Sequence, residues 1–167
     1  MGSSESSVVA FAGHMIDRPD RAAPRFPAGA EGAVARAIRD RLAAWGAGTG
    51  VCSLACGADI LFAEAVLERG GELHIILPVR AEDFIRESVA IGGDDRWVAR
   101  FESARARAAR FEVYGGEYLA GSGTPFHVAT LLIDGIAQLW AKSSGRAARS
   151  LSVWAGKAGA GSGGTGA

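Results

Sequence analysis

The sequence predicts a single α/β domain with a mostly parallel sheet of about five strands and helices on both faces. Short apolar, β-rich runs alternate with helical stretches along the whole chain. Several of these runs end at glycine or proline before the next helix, as buried parallel strands do. At 167 residues, 49% apolar and 22% charged, the chain can bury one core without disulfide or metal staples.

The elements follow in order. Residues 1–7, "MGSSESS", are small and polar and read as a disordered tail before a domain spanning 8–158. "VVAFAGH" predicts a first strand at 8–12, followed by a Pro- and Arg-rich loop, "DRPDRAAPRFP". "EGAVARAIRDRLAAW" places Val34, Ile38, Leu42 and Trp45 on one helical face. "GVCSLACGAD" repeats the design: a strand at 51–54, a turn of small residues, then Asp59 at a helix N-terminus. The helix "ILFAEAVLERGG" ends in glycines that suit a C-cap.

"ELHIILPV" predicts a strand at 73–78, and "EDFIRESV" and "DRWVARFESARARAAR" predict two helices. "FEVYGG" predicts a strand at 111–114. Thr124 and Pro125 read as the N-cap and first turn of "FHVATLLIDGIAQLWAK". A fifth strand at 151–155 runs into a glycine-rich loop, 159–167.

Composition narrows the function. Lys plus Arg equals Asp plus Glu at 18 each, so no global field draws the chain to nucleic acid or anionic membrane. No apolar run approaches a membrane span and no signal-peptide pattern is present, so a cytoplasmic location is expected. All but two of the basic residues are arginine, a bias that discounts any lone Arg. Cys52 and Cys56 lack CxxC spacing and a second pair, and His14, His74 and His127 are scattered. Two buried thiols and no metal site are expected.

Ligands of parallel α/β sheets bind outside the carboxyl ends of the strands. That rule selects Gly13 and His14, then Ala55, Cys56, Gly57, Ala58 and Asp59, then Pro78, Val79 and Arg80, then Gly115 and Gly116 and the terminal glycines; of these, Gly13, His14, Ala55 to Asp59 and Arg80 are expected to line one cleft. In the "ACGAD" turn, backbone N–H groups at a helix N-terminus could receive an anion. Asp59 there either caps the helix or accepts from a sugar hydroxyl. His14 fits a base-edge or phosphate contact, or a satisfied surface histidine. Arg18, Arg21 and Arg25 either clamp phosphate bidentately or solvate their loop.

Asp59 and Glu64 are the candidates for a catalytic acid or base, although no Ser-His-Asp order, nucleophile elbow or paired-carboxylate signature accompanies them. If Gly57 serves only a ligand's close approach, Gly57→Val should abolish nucleotide binding and leave the fold intact. The terminal "GAGSGGTGA" is either a flexible tail or a phosphate loop; it is not a Walker loop, because Lys157 precedes the glycines.

A first strand ending in glycine, a "GAD" turn before the second helix and a strand leading to "GSGGT" resemble the SLOG superfamily, named for the Smf/DprA and LOG proteins. More narrowly, "FAGHMIDRP", "ACGADILFAEAVLERGGELHIILP" and "EDFIRESV" resemble SLOG-like domains of bacterial multidomain signalling proteins. The resemblance covers nearly all of 8–165, and its middle motif is the most specific. It implies a Rossmann-like three-layer fold that binds nucleotides or nucleotide-derived ligands. Gly13 and His14 match the first ligand-side turn, and Ala55, Cys56, Gly57, Ala58 and Asp59 the second. Gly163, Gly164 and Thr165 match the phosphate loop, here without its following helix, so a C-terminally truncated domain with a mobile loop is expected.

The resemblance also implies fused or associated effector domains and leaves a homo-oligomer open. It implies no further cofactor, and neither nucleic acid nor membrane is expected as a partner. Two departures bear on activity. Hydrolases of the LOG type carry a glutamate shortly after their "PGGxGT" loop, whereas Thr165 is followed by Gly166 and Ala167. The signalling relatives tend to carry an acidic residue after the last strand's Trp, where this chain has Ala155. Both departures favour a ligand-sensing module over a phosphoribohydrolase or N-glycosidase that would use Asp59 or Glu64 to polarise the sugar. A structural domain with a decayed site is the third reading.

Overall fold

The computed structural model describes residues 6–91, 94–116 and 123–156. Its strands are β1 (Ser7–Gly13), β2 (Ala47–Cys52), β3 (Glu72–Leu77), β4 (Arg110–Val113) and β5 (Ala148–Val153). Its helices are α1 (Glu31–Ala44), α2 (Ala58–Glu68), α3 (Ala81–Ser88), α4 (Asp95–Arg107) and α5 (Thr124–Ser143). The five strands pair in parallel throughout, in the order β4-β3-β2-β1-β5. The fold is therefore the expected Rossmann-like three-layer α/β domain.

Alternation along each strand assigns its side chains to two cores. Val9 and Phe11 of β1, with Leu73, Ile75 and Leu77 of β3, pack against α1, α2 and α4. Val8, Ala10, Val51 and Ile76 face the other way, onto Ile133, Ala137 and Ala141 of α5. Nearly all of α2 is buried, and Phe62 stacks on Phe11 with ring centroids 4.4 Å apart. The chain thus steps from β1 to β4 with helices on one face. It then recrosses under α5 to lay β5 beside β1.

Local chemistry explains the boundaries. Helices α1, α2 and α5 each run into a glycine of positive φ: Gly46 (58°), Gly70 (72°) and Gly145 (65°). After α2, the Gly71 N–H donates to the Val66 carbonyl and the Gly70 N–H to the Leu67 carbonyl, both at 3.0 Å. This is the paired closure that a left-handed glycine permits, and it matches the glycine C-cap expected from "ERGG". The N-terminus of α5 differs from expectation: Gly123 is the N-cap, and Thr124 and Pro125 lie inside the first turn.

Two strands begin earlier than their apolar runs suggest. In β2 the cause is "AGTG", where a Cβ on Gly50 would meet the Val66 side chain at 2.6 Å and the Phe62 ring at 2.9 Å. In β5, Ala148, Arg149 and Ser150 are exposed on an edge strand, so burial leaves no apolar signature there. Ser7 belongs to the sheet rather than to the tail: it is buried, and its hydroxyl donates to the Trp45 carbonyl at 2.9 Å.

Candidate functional site

Strand order reverses between β1 and β5, and the crevice at such a switch point is where open parallel sheets place ligands. The two strand ends are tied together, the His14 N–H donating to the Val153 carbonyl at 3.1 Å. The chain then runs antiparallel to the "ACGAD" turn. The Ala58 N–H donates to the His14 carbonyl at 3.1 Å and the Ile16 N–H to the Cys56 carbonyl at 3.2 Å. Gly57 makes this crossing with φ +94°, and Gly13 lets β1 close on α2, where a Cβ would lie 2.5 Å from that of Ala58.

The loop after this crossing is organised by Asp17. Its carboxylate accepts from the N–H groups of Arg25 (2.8 Å) and Phe26 (2.9 Å), and its own N–H donates to the Phe26 carbonyl at 2.8 Å. Phe26 is buried and anchors the far end. "DRPDRAAPRF" is therefore a closed loop that carries three arginines. Arg21 pairs with Asp17 at 3.4 Å. Among the described residues, the guanidinium groups of Arg18 and Arg25 have no carboxylate partner.

His14 lies beneath this loop, 7% exposed, with its Nε2 lacking a hydrogen-bond partner among the described residues. It is not the satisfied surface histidine that was the alternative. Burial lowers its pKa; Arg25 and Arg21 lower it further, against a smaller opposing pull from Asp17. The imidazole is neutral at pH 7 and sits in a positive field.

Asp59 is the second residue of α2, behind a Gly57 N-cap, so it does not fill the N-cap position. Its Oδ2 accepts from the Ala55 N–H at 3.3 Å, while its buried Oδ1 lacks a well-formed partner. Burial raises its pKa to about 7, against the pull of the Ala55 and Gly13 N–H groups. Cys52 and Cys56 are buried free thiols as expected, and burial pushes Cys56 to about 12.

The turn is a brace more than an open cradle. Three of its amides are engaged within the protein: Ala55 with Asp59, Ala58 with His14, and Cys56 with the Ser88 carbonyl at 2.8 Å. Its visible contribution is to hold Asp59 next to the end of β1.

The remaining candidates lie elsewhere. Arg80 opens α3 at the end of β3, two strands from β1; its N–H donates to the Gly116 carbonyl and its guanidinium lies 3.7 Å from Asp83. Glu64 is held by Arg100 through two bonds of 2.7 and 2.6 Å, and Arg100 also reaches Glu31 at 2.7 Å. The guanidinium lies 4.3 Å from the Trp97 ring centroid. Glu64 therefore ties α2 to α1 and α4, both its oxygens taken by Arg100. Arg100→Ala should destabilise the domain by about 2 kcal/mol, because two carboxylates are left facing each other. Urea unfolding checks this, and an unchanged midpoint would show that the triad contributes nothing. Gly163, Gly164 and Thr165 lie outside the described residues.

A second groove of about 480 Å³ lies between the ends of β3 and β4 and the start of α5, where the strand-end rule selects Pro78, Val79, Gly115 and Gly116. Pro78, Val79, Tyr114, Gly115 and Val128 line it. Glycine is needed at its rim, since a Cβ on Gly115 would collide with the Pro78 carbonyl oxygen. Among the described residues, no cluster of three His, Cys, Asp or Glu could hold a metal ion, and no helix is long and apolar enough to cross a membrane. No protein-family model matches the chain and no curated protein matches it, so the fold and the geometry at the β1–β5 switch point carry the functional argument.

Proposed function

We propose that the domain binds a nucleotide or nucleotide-derived ligand at the carboxyl ends of β1 and β5, as its resemblance to the SLOG superfamily implies. The observation that carries this reading is the buried, unpartnered Nε2 of His14 beneath a loop whose Arg18 and Arg25 have no carboxylate partner among the described residues. A buried polar atom without a partner costs free energy that a ligand hydrogen bond can recover. An uncompensated guanidinium whose charge reaches His14, that of Arg25, selects an anion, and guanidinium matches phosphate geometry. A ligand with a phosphate and a hydrogen-bonding base satisfies both features together.

A thermal-shift screen with AMP, NAD and related nucleotides tests the reading. A phosphate-bearing nucleotide should raise the melting temperature, and Arg25→Ala should weaken its binding about 10- to 100-fold. Glu64→Gln should leave affinity unchanged. Absence of any nucleotide-dependent shift, or binding indifferent to Arg25, would overturn it.

One observation favours an enzymatic second reading. A carboxyl titrating at about 7 has the pKa of a general acid, and Asp59 is buried beside the proposed pocket. Released base on incubation with AMP or NAD, lost in Asp59→Asn, would select that reading over sensing.

A further inference from the structure

We propose that the domain pairs with a second copy of itself through the outer face of α5, the two helices crossing antiparallel at Gly135. The inner face of α5 is occupied by Ala129, Ile133, Ala137 and Ala141, all buried, the last three against the sheet. On the opposite side, Val128 is 44% exposed, Leu131 62% and Leu139 67%. At 3.6 residues per turn, all three fall within about 40° of a line through Gly135. The outer face of α5 thus carries three exposed apolar side chains about a central glycine, with Lys142 at the C-terminal end of the same line.

Gly135 lies mid-helix, where glycine is disfavoured, and nothing among the described residues lies within 4 Å of a Cβ built on it. Neither a positive φ nor a close neighbour in its own chain requires glycine there. A missing side chain on an exposed apolar stripe is a notch, and it allows a second helix to approach closely.

The centre of the stripe is also symmetric about that notch, Lys142 standing at the end opposite Val128. Leu131 precedes Gly135 by four residues and Leu139 follows it by four. A two-fold axis at Gly135 therefore lays Leu131 of one copy against Leu139 of the other, and the reverse contact forms with it. That is the self-complementarity of an isologous interface, and it is what selects a second copy over an unrelated partner. Antiparallel crossing also opposes the two helix dipoles favourably. A stripe this small buries less than the roughly 800 Å² per partner of a standard interface, so association in the micromolar to millimolar range is expected. The pairing does not depend on the ligand reading, because the stripe is formed by α5 alone.

Sedimentation velocity across a concentration series is the first test. The weight-average mass should climb from monomer towards dimer, and Leu131→Glu combined with Leu139→Glu should hold it at monomer. Both leucines are already exposed, so an unchanged melting curve for that variant separates lost pairing from lost folding. Cross-linking is the second test. Helix axes 8–10 Å apart leave facing Cα atoms within disulfide range at the crossing. Gly135→Cys should therefore form a covalent dimer under mild oxidation much faster than Glu102→Cys, which places a thiol on α4. A monomer at every concentration, a dimer indifferent to the two glutamates, or cross-linking no faster than the α4 control would each overturn the proposal.

Discussion

Gly57→Val should abolish the cooperative fold or destabilise it by more than about 3 kcal/mol. At φ +94° a β-branched residue is strained by its own backbone, and here the surroundings add a collision. A Cβ would press on the Ile16 nitrogen, with the Met15 carbonyl carbon at 3.0 Å and the His14 carbonyl oxygen at 3.1 Å. These are backbone atoms fixed by the crossing between the β1 end and the "ACGAD" turn. The expectation that this substitution would spare the fold is therefore corrected. Gly57 is needed by the chain itself, whatever ligand approaches. Gly57→Ala should show most of the effect, since the first side-chain carbon makes the contact. Urea unfolding followed by circular dichroism measures it, and a Gly57→Val protein of native stability would contradict this geometry.

Asp59 should make the domain progressively less stable as pH rises from about 4 to about 7. Its folded pKa is raised from 3.8 to about 7, chiefly by burial. Between those values the unfolded chain has released a proton that the folded chain retains. Stability from this group is therefore complete below about pH 4 and is lost as pH climbs through about 7. The slope is about 1.4 kcal/mol per pH unit, giving a loss on the order of 4 kcal/mol across the window. Cys52 and Cys56 remain protonated throughout, their pKa values being pushed upward. His14 and His74, both lowered by burial, act in the opposite direction as pH falls.

The Asp59→Asn variant isolates the Asp59 contribution. With its oxygen kept on the Ala55 N–H, its NH2 takes the buried position of Oδ1, so some stability is lost at every pH. The difference between the two proteins should nevertheless shift in favour of the variant from pH 4 to 7 and then level off. Parallel stability curves for the two proteins would contradict the assignment.

The fold was legible because its signals are local. Each strand–helix step of "VVAFAGH", "ACGAD" and "ELHIILPV" carries its own period and punctuation, and parallel pairing with right-handed crossovers follows from them. What escaped was set by partners distant in sequence. Asp17 reads as one more acid in a polar loop until its carboxylate closes on the amides of Arg25 and Phe26. Glu64 reads as a carboxylate near a crevice until Arg100, 36 residues away, takes both its oxygens. Gly57 was identified as special, but the reason was chain crossing, and sequence cannot show which backbone will lie opposite. Gly13, His14, Ala58 and Asp59 do come together as expected, whereas Arg80 belongs to the neighbouring strand ends.

On the proposed function, a phosphate-bearing nucleotide occupies the β1–β5 switch point and completes the hydrogen bonding of His14. Nitrogen-15 spectra of the histidine rings, recorded while AMP is titrated in, test it most directly. The claim predicts that the Nε2 resonance of His14 moves in a saturable manner while those of His74 and His127 stay in place, and that Arg25→Ala weakens the titration. AMP that leaves His14 unmoved, or that shifts all three histidines alike, would contradict it.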